Sequence, residues 1–232
     1  MYDKVFELKL RKKASDFIQG NYLLVNNVAI YLKEIEVYYR EEGKFEDYSV
    51  HQNMLQRNHK YKFYVHRYGK EIDSPYKSSP KNNRGGCDFV LSDTDSIYYS
   101  FLIRSIVIND NPVFGPRKSL NAIIKETGLS YEELEKAEVK IVPFDNHHDI
   151  LKTPRIGLGK PPKDEDKIYQ EAELRLIVCD KCFHEKNGYK RRTEAIDNYL
   201  KEQLKDGKMT KEEAIKYSED WFKAVSSWLR KY

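Results

Sequence analysis

Apolar positions recur along the chain with two different spacings, and these spacings predict a mixture of helices and strands. Runs of β-branched and aromatic residues, the pattern of strands, occupy residues 21–25, 28–39, 61–68, 87–91, 97–108 and 171–179. Helical spacing, with apolar residues three and four apart, occupies residues 3–19, 115–125, 131–136, 190–206 and 210–231. Together the two spacings predict an α+β protein.

Local signals mark where several of these elements begin and end. Asn26 and Asn27 separate the first two predicted strands, and Asn tolerates the positive φ angles of a tight hairpin. Gly20 is a stop signal for the first helix. Ser130 followed by Glu133 is a capping-box pattern at the start of a short helix. The sequence therefore predicts a hairpin at residues 26–27 and helix boundaries near residues 20 and 130.

The length of 232 residues fits one large domain, or one domain with an appendage. We predict a single domain over residues 1–188, with a mostly antiparallel curved sheet, flanking helices and a protruding basic hairpin. Residues 189–232 are predicted to form a two-helix extension packed on that domain, because an exposed apolar stripe with two Trp would aggregate. No membrane span is predicted, since the most apolar run, residues 97–108, is short and contains Arg104.

The formal net charge of +4 is small but unevenly distributed. Residues 51–84 hold eight Lys and Arg against two Asp and Glu, with five Tyr and Phe among them. Cations contact phosphates and aromatic rings stack on bases, so this mixture is typical of a nucleic-acid-binding surface. A solvated hairpin with a half-buried aromatic face fits the same composition, and composition alone leaves both interpretations open.

Charged residues occur in two predicted strands, where burial makes a charge costly. Alternation along the second predicted strand places Glu34, Glu36 and Tyr38 on one face. Arg104 is the only charge in its predicted strand, and a buried Arg needs a partner. A Glu–Arg pair beside an aromatic ring can bind and activate a water next to a planar ligand. A core ion pair, or two charges on a solvated sheet face, is the alternative.

A metal site has weaker support in the sequence. Cys179, Cys182 and His184 offer one corner of a zinc site, but no second pair of ligands lies at a matching spacing. Three Cys in a chain of this length fit a reducing cytoplasm better than a disulfide-bonded secreted protein. We therefore predict a cytoplasmic protein that needs no metal and no cofactor.

Several short motifs follow one another in a recognisable order between residues 10 and 178. They are the E-x-E-x-Y strand of residues 34–38, an acidic loop that closes on His51, Tyr68-Gly69, a single Arg104 in an apolar strand, Gly115-Pro116-Arg117-Lys118, and Arg155-Ile156-Gly157. Their joint order resembles, remotely, the alkyladenine (3-methyladenine) DNA glycosylase family.

The resemblance implies a role for each matched residue. Glu36 matches the general base that activates the attacking water, and Arg104 matches its partner in holding that water. Four residues match the pocket that receives the flipped base: Tyr38, His51, Val65 and Asp88. The residues that the resemblance places at the DNA are the intercalating Tyr68, its neighbour Arg67, and Gly115, Lys118 and Arg155 near the phosphate backbone.

The sequence departs from the family at two of the pocket positions. Val65 stands where the family has a second aromatic wall, and Asp88 stands where it has an Asn that helps to discriminate against guanine. The loops before His51 and after Tyr68 are longer than in the family, and the C-terminal helices have no counterpart in it. These departures bear on lesion specificity and on activity.

The function that follows from the resemblance is a monofunctional DNA N-glycosylase that excises alkylated or deaminated purines in base excision repair. Its expected partner is double-stranded DNA with a damaged purine, bound by a monomer that is associated with the nucleoid if the chain is bacterial. Two alternatives remain: a non-catalytic relative that recognises distorted DNA, and an unrelated RNA-binding module.

Overall fold

A ten-stranded sheet organises the computed structural model of the chain, which describes residues 2–77, 85–145, 148–178, 192–222 and 228–229. The strands are β1 (Asn21–Val25), β2 (Val28–Glu41), β3 (Phe45–Glu46), β4 (Phe63–Val65), β5 (Cys87–Val90), β6 (Ile97–Ile108), β7 (Asn111–Phe114), β8 (Val139–Pro143), β9 (Ile150–Thr153) and β10 (Arg175–Val178). The helices are α1 (Lys4–Gly20), α2 (Pro116–Thr127), α3 (Tyr131–Lys136), α4 (Lys167–Glu171), α5 (Arg192–Lys205) and α6 (Lys211–Phe222).

Within the described residues every strand pairing is antiparallel, so the predicted α+β fold with a mostly antiparallel sheet is confirmed. Strand β2 is the spine of this sheet. β6 runs along one edge of β2, and β1, β10 and β3 follow one another along the other edge. Because a long strand with this many neighbours twists and coils, the sheet is curved. Strands from the beginning, the middle and the end of the sheet-forming sequence (β1, β6 and β10) are therefore neighbours of β2.

The local signals predicted from the sequence are confirmed. Asn26 and Asn27 form the β1–β2 turn with φ angles of 46° and 63°, the left-handed region that a two-residue hairpin requires. Helix α1 ends at Gly20, as expected. Ser130 accepts a hydrogen bond from the Glu133 amide while the Glu133 side chain accepts one from the Ser130 amide, which completes the predicted capping box.

One face of β2 carries apolar side chains and the other carries charged ones, as the alternation predicts. Ile35, Val37 and Tyr39 lie in the main apolar core, against the apolar side of α1. Glu34 and Glu36 are also fully buried, but on the opposite face of the strand. Burying a large apolar side chain contributes about 1.5–3 kcal/mol, whereas a buried carboxylate needs partners to be tolerated. The charged face of β2 is therefore where the structure must provide cations and hydrogen-bond donors.

Four short strands differ from the sequence-based expectation, because β3, β7, β8 and β9 were not predicted. Each has two to five residues and pairs at the margin of the sheet. Strands this short hold too few alternating positions to show a period, so tertiary pairing rather than local pattern determines them.

The predicted protruding hairpin also differs in the structure. Within residues 51–77 the chain forms a single helical turn at Met54–Gln56, the three-residue strand β4, and one isolated bridge between Arg67 and Tyr76. Tyr61 has a φ of 61°, which interrupts the expected strand before β4 begins. Because Asn53, Gln56 and Arg67 are buried, much of this basic and aromatic segment belongs to the body of the protein.

The C-terminal helices share a second apolar cluster with the sheet. Leu200 of α5 and Ala214 of α6 pack with Leu151 of β9 and Ile177 of β10. The domain boundary expected near residue 188 lies outside the described residues and stays a prediction. Among the helices of the described residues, none is long and apolar enough to cross a membrane.

Candidate active site

The pairing of β2 with β6 is irregular at two neighbouring positions, and these irregularities bring charged side chains together. The register shifts on both sides of Glu34, so that Lys33 on β2 and Arg104 on β6 are each an extra residue in the ladder. An extra residue bends a strand and re-aims the neighbouring side chains. As a result both Arg104 and the adjacent Ser105 reach Glu34, although strict alternation would point them to opposite faces.

Glu34 is the centre of a buried ion cluster. Its Oε1 accepts hydrogen bonds from Arg104 Nε at 3.0 Å and from Arg175 Nε at 2.7 Å. Its Oε2 accepts one from the Ser105 hydroxyl at 2.8 Å. Burial alone would lower the pKa of Arg104, but Glu36 and Glu34 outweigh it and raise that pKa, so the guanidinium stays charged. Glu34 therefore serves to hold Arg104 in place.

Glu36 has a different set of partners. Its Oε1 lies 3.1 Å from Arg104 Nη1 and accepts a hydrogen bond from the Ile156 amide at 2.9 Å. Its Oε2 accepts one from the Tyr38 hydroxyl at 2.9 Å. A carboxylate offers about four lone-pair sites, which is more than these three partners engage.

Tyr38 connects this carboxylate to a small polar pocket. Burial, together with the Glu36 charge, raises the pKa of Tyr38 well above its ordinary value, so the phenol keeps its proton. The hydroxyl therefore donates a hydrogen bond to Glu36. Its ring also lines a pocket of about 30 Å³, together with Ser49, His51, Gln56, His66 and Asp88. The structure thus brings together four residues expected at the site, Glu36, Arg104, Tyr38 and His51, with Asp88 across the pocket.

A hydrogen-bond network covers one wall of the pocket. Asp88 Oδ1 lies 2.7 Å from His66 Nε2, and Asp88 Oδ2 accepts hydrogen bonds from Gln56 Nε2 and the Ser100 hydroxyl, both at 2.8 Å. The His51 and His66 rings meet edge to face with centroids 4.5 Å apart. Lys77 Nζ lies 3.2 Å from His51 Nε2. The pocket therefore has a polar wall with two imidazoles.

Val65 does not line the pocket, so that expectation is wrong. Its side chain lies in the main apolar core, where Phe63 also lies, and its amide donates to Glu135 Oε1 at 2.9 Å. His66, the next residue, takes the wall position instead. Alternation within Phe63-Tyr64-Val65-His66 was the signal for this, because two apolar residues share one face and two polar aromatic residues share the other.

Arg67 and Arg155, both expected at the DNA, are instead buried structural cations. Arg67 donates to Glu135 Oε2 at 2.6 Å, and its guanidinium stacks on the Tyr76 ring at 3.8 Å. Arg155 lies 2.5 Å from Asp47 Oδ2, donates to the Tyr169 carbonyl, and stacks on Tyr38.

Neither guanidinium is placed to contact a phosphate, because each is buried and held by a carboxylate. Arg155 does not contact DNA in this arrangement; its guanidinium packs on the ring of Tyr38 and holds that ring in place. The loop that carries Arg155 also supplies the Ile156 amide to Glu36.

The other three residues expected at the DNA remain accessible to it. Tyr68 is 60% exposed. Gly115 is the N-cap of α2 with a φ of 97°, a conformation that only Gly adopts readily, and Lys118 is exposed in the first turn of that helix. Gly115 and Lys118 border a groove of about 470 Å³, of which His66 forms part. Because His66 lines both the groove and the pocket, the two share a wall.

The buried imidazole of His51 should make the folded protein less stable as the solution becomes acidic. Burial, with His66 and Lys77 adding to it, lowers the pKa of His51 from 6.5 to about 3. Between these values the unfolded chain binds the additional proton, so stability should fall as the pH falls through this range, by up to about 1.4 kcal/mol per pH unit. In urea titrations from about pH 6.5 to about pH 3.5, the His51→Phe variant should lose less stability than the wild type.

The matched control for this measurement is His59→Gln. His59 Nε2 lies 3.1 Å from the Glu135 carbonyl oxygen and does not line the pocket. His59→Gln should keep the wild-type slope. A His51→Phe variant with the wild-type slope would show that another group causes the acid sensitivity.

No known protein family matches the chain, and no curated protein shows significant similarity to it. The described residues hold no cluster of three or more His, Cys, Asp and Glu that could bind a metal ion. The zinc corner considered at Cys179, Cys182 and His184 lies outside the described residues. Function must therefore be inferred from the pocket and the carboxylate beside it.

Proposed function

We propose that the protein is a monofunctional DNA N-glycosylase that flips out a damaged purine and hydrolyses its N-glycosidic bond. One observation carries this proposal: Tyr38 donates to Glu36, the carboxylate in contact with Arg104, while the ring of Tyr38 lines the polar pocket. Tyr38 therefore contacts both the carboxylate that would take a proton from water and the pocket that would receive the planar base. No metal is needed for this chemistry.

The geometry suits the demands of the reaction. A carboxylate offers more acceptor sites than the three partners of Glu36 engage, and Arg104 keeps 12% of its side-chain surface exposed beside it. As the glycosidic bond breaks, positive charge develops on the sugar, which a nearby carboxylate stabilises while it takes a proton from the water. Aromatic walls offset the cost of removing a base from the stack, which is a few kcal/mol.

The start of α2 supports a path for the DNA backbone. Anions bind readily at the N-terminus of a helix, where free amides and the helix dipole favour negative charge. Arg117 and Lys118 lie in the first turn and line the groove that shares His66 with the pocket. A nucleotide with its base in the pocket would have its phosphate on this side of the molecule.

The pocket must open to admit a base. A volume of about 30 Å³ holds about two water molecules, far less than the roughly 300–1,000 Å³ of a typical ligand pocket. Tyr38 and Asp88 are fixed on strands β2 and β5, whereas Ser49, His51 and Lys77 lie outside the strands and helices. We expect the contact between His51 and Lys77 to separate on base binding.

One observation favours a non-catalytic relative that recognises distorted DNA. Glu36 is fully buried, accepts two hydrogen bonds and is paired with Arg104, as the carboxylate of a structural ion pair would be. Such a protein would bind lesion-containing duplexes through Tyr68 and release no base.

A base-release assay decides between the two functions. Purified protein is incubated with duplexes carrying hypoxanthine, ethenoadenine or 3-methyladenine, and free base and abasic sites are quantified. Release of a base with the strand left intact supports a monofunctional glycosylase. Binding without release supports the non-catalytic relative, and tighter binding to single-stranded RNA than to any duplex rejects both. The cytoplasmic location, with nucleoid association if the chain is bacterial, is proposed together with the glycosylase function.

Tyr68 should contribute to DNA binding without contributing to stability. A stacked aromatic side chain is worth about 1–3 kcal/mol per base, so Tyr68→Ala should weaken binding to a lesion-containing duplex by about 5- to 150-fold. Fluorescence anisotropy with a labelled duplex measures this change. Tyr61→Ala is the matched control, because Tyr61 is also exposed but stacks on Phe89 within the protein. Equal effects of the two substitutions would contradict an intercalating role for Tyr68.

A further inference from the structure

An exposed apolar patch surrounds Tyr68 and is formed with two residues from longer loops. Seven large apolar side chains are exposed among the described residues, and three of them, Met54, Tyr68 and Ile72, belong to this patch. Met54 and Ile72 are 38% and 52% exposed, although both residue types are usually buried. We propose that Met54 and Ile72 form a second wedge, which enters the minor groove beside Tyr68 and bends the duplex. The inference rests on the proposed function for the place of Tyr68 at the DNA.

A backbone hydrogen bond brings Met54 to the stretch between Tyr68 and Ile72. The Met54 amide donates to the Lys70 carbonyl oxygen at 2.8 Å. Lys70 is two residues from Tyr68 on one side and from Ile72 on the other. The chain from Tyr68 to Ile72 spans at most about 14 Å, which is the length of about four base steps of DNA. The three apolar side chains can therefore contact the same short stretch of duplex.

The patch is firmly anchored to the protein. Asn53 is fully buried, and its Nδ2 donates to the carbonyl oxygens of Gly69 and Glu71 at 2.9 and 2.8 Å. The Tyr68 amide donates to the Pro75 carbonyl oxygen at 2.9 Å. Because these bonds order the backbone before any partner arrives, little entropy is lost when the side chains insert between bases.

The turn that presents Met54 also connects the patch to the pocket. The helical turn begins at Met54 and ends at Gln56, which is fully buried and donates to Asp88 Oδ2 at 2.8 Å. Asp88 lines the pocket, so the protein fixes the position of Met54 relative to the expected place of the flipped base. A duplex with its lesion base in the pocket would therefore meet the patch at a defined step.

The charge around the patch favours DNA as its partner. Residues 51–77 hold six Lys and Arg against two Asp and Glu, and Lys70 is exposed between Tyr68 and Ile72. Cations beside an apolar tip complement the phosphates that border a groove of DNA. Ile and Met are among the side chains that proteins insert between base steps, and such insertion kinks the duplex by about 20–90°. The patch is therefore expected to bend the DNA as well as to bind it.

The two wedges would act differently on the duplex. Tyr68 would stack in the gap that the flipped nucleotide leaves. Met54 and Ile72 would partly unstack a neighbouring step and kink the helix there. Since the base next to a kink has already lost part of its stacking, less free energy is then needed to extrude it.

The test measures energy transfer between dyes at the two ends of a duplex of about 20 base pairs that carries one tetrahydrofuran abasic analogue. This duplex offers a gap but no base to release, so bending is measured apart from catalysis. Wild type should raise the energy transfer, because bending brings the ends closer together. M54A/I72A should lose most of this rise and bind about 5- to 30-fold more weakly, because the truncated side chains no longer fill the step.

V5A/L8A is the matched control for this measurement. Val5 and Leu8 are also exposed apolar residues, but they lie on α1, which packs on the face of the sheet opposite Glu36. V5A/L8A should keep the full rise in energy transfer and bind within about twofold of wild type. M54L/I72L should also keep the bend, because Leu is an effective wedge of similar size. Urea denaturation should give every variant the wild-type midpoint, since all four positions are exposed.

Several results would overturn the proposal. Wild-type bending by M54A/I72A means that Met54 and Ile72 do not enter the duplex, and loss of bending by V5A/L8A means that the assay does not report on the patch. Base release by the wild type without bending rejects the wedge but keeps the glycosylase. Bending without base release supports the wedge in a non-catalytic relative. If the wild type neither binds this duplex nor releases a base from any lesion, the proposed function itself is wrong.

Discussion

Replacing Glu36 by Gln should slow base release from a hypoxanthine-containing duplex by about 10²–10⁴-fold, the usual contribution of a positioned general base. Gln has nearly the same size, and its one carbonyl oxygen can still accept a hydrogen bond from the Ile156 amide while its NH₂ group donates to the Tyr38 hydroxyl, but it cannot take a proton from water. Arg104 keeps Glu34 as its ion partner in the variant, so the fold should survive. Single-turnover release with enzyme in excess measures the change.

Glu41→Gln is the matched control for this substitution. It removes the same charge from the same strand, but Glu41 lies at the end of β2 and contacts Tyr39 and Lys44 rather than the ion cluster. Its release rate should equal that of the wild type. Full activity in a folded Glu36→Gln protein would show that Glu36 is a structural ion only. Retained duplex binding by Glu36→Gln, measured alongside, shows that the defect is in the chemical step.

Replacing Arg155 by Met should lower the free energy of unfolding by about 3–5 kcal/mol, the cost of removing one partner of a buried ion pair. The variant leaves Asp47 buried without its cation and leaves the carbonyl oxygens of Val37 and Tyr169 without a donor. Urea denaturation followed by circular dichroism measures the loss. In the double variant with Asp47→Leu, much of the stability should return, because no buried charge remains.

Lys118→Met is the control that separates stability from DNA contact. Lys118 is exposed, so its replacement should change stability by no more than about 0.5 kcal/mol. It should instead weaken duplex binding and reduce the dependence of that binding on salt. If Arg155→Met weakened DNA binding with no loss of stability, the buried position of Arg155 would not describe the protein in solution.

The face of β2 that carries the site was predictable from the sequence, because alternation is a local property. Glu34, Glu36 and Tyr38 fall on one face whatever the rest of the chain does. The β1–β2 turn was predictable for the same reason, since Asn26 and Asn27 satisfy the backbone angles locally.

The corrections share a different physical origin. A basic residue in a loop has the same local pattern whether it meets solvent or a carboxylate far along the chain. Arg67 meets Glu135, 68 residues away, and Arg155 meets Asp47, 108 residues away. The extra residues at Lys33 and Arg104 likewise depend on how two strands pair, which the pattern of either strand alone does not show.

The contacts of Glu36 also have a consequence for how the site comes into being. Its donors include the amide of Ile156, which is 120 residues further along the chain, and contacts between such distant segments form late because closing a long loop is entropically costly. A chain that has been synthesised only as far as β9 contains Glu36, Tyr38 and Arg104 but lacks this last donor. A nascent or truncated chain would thus carry Glu36 without the donor that holds its Oε1. The proposed activity should therefore appear only after the segment that carries Ile156 has been synthesised and folded.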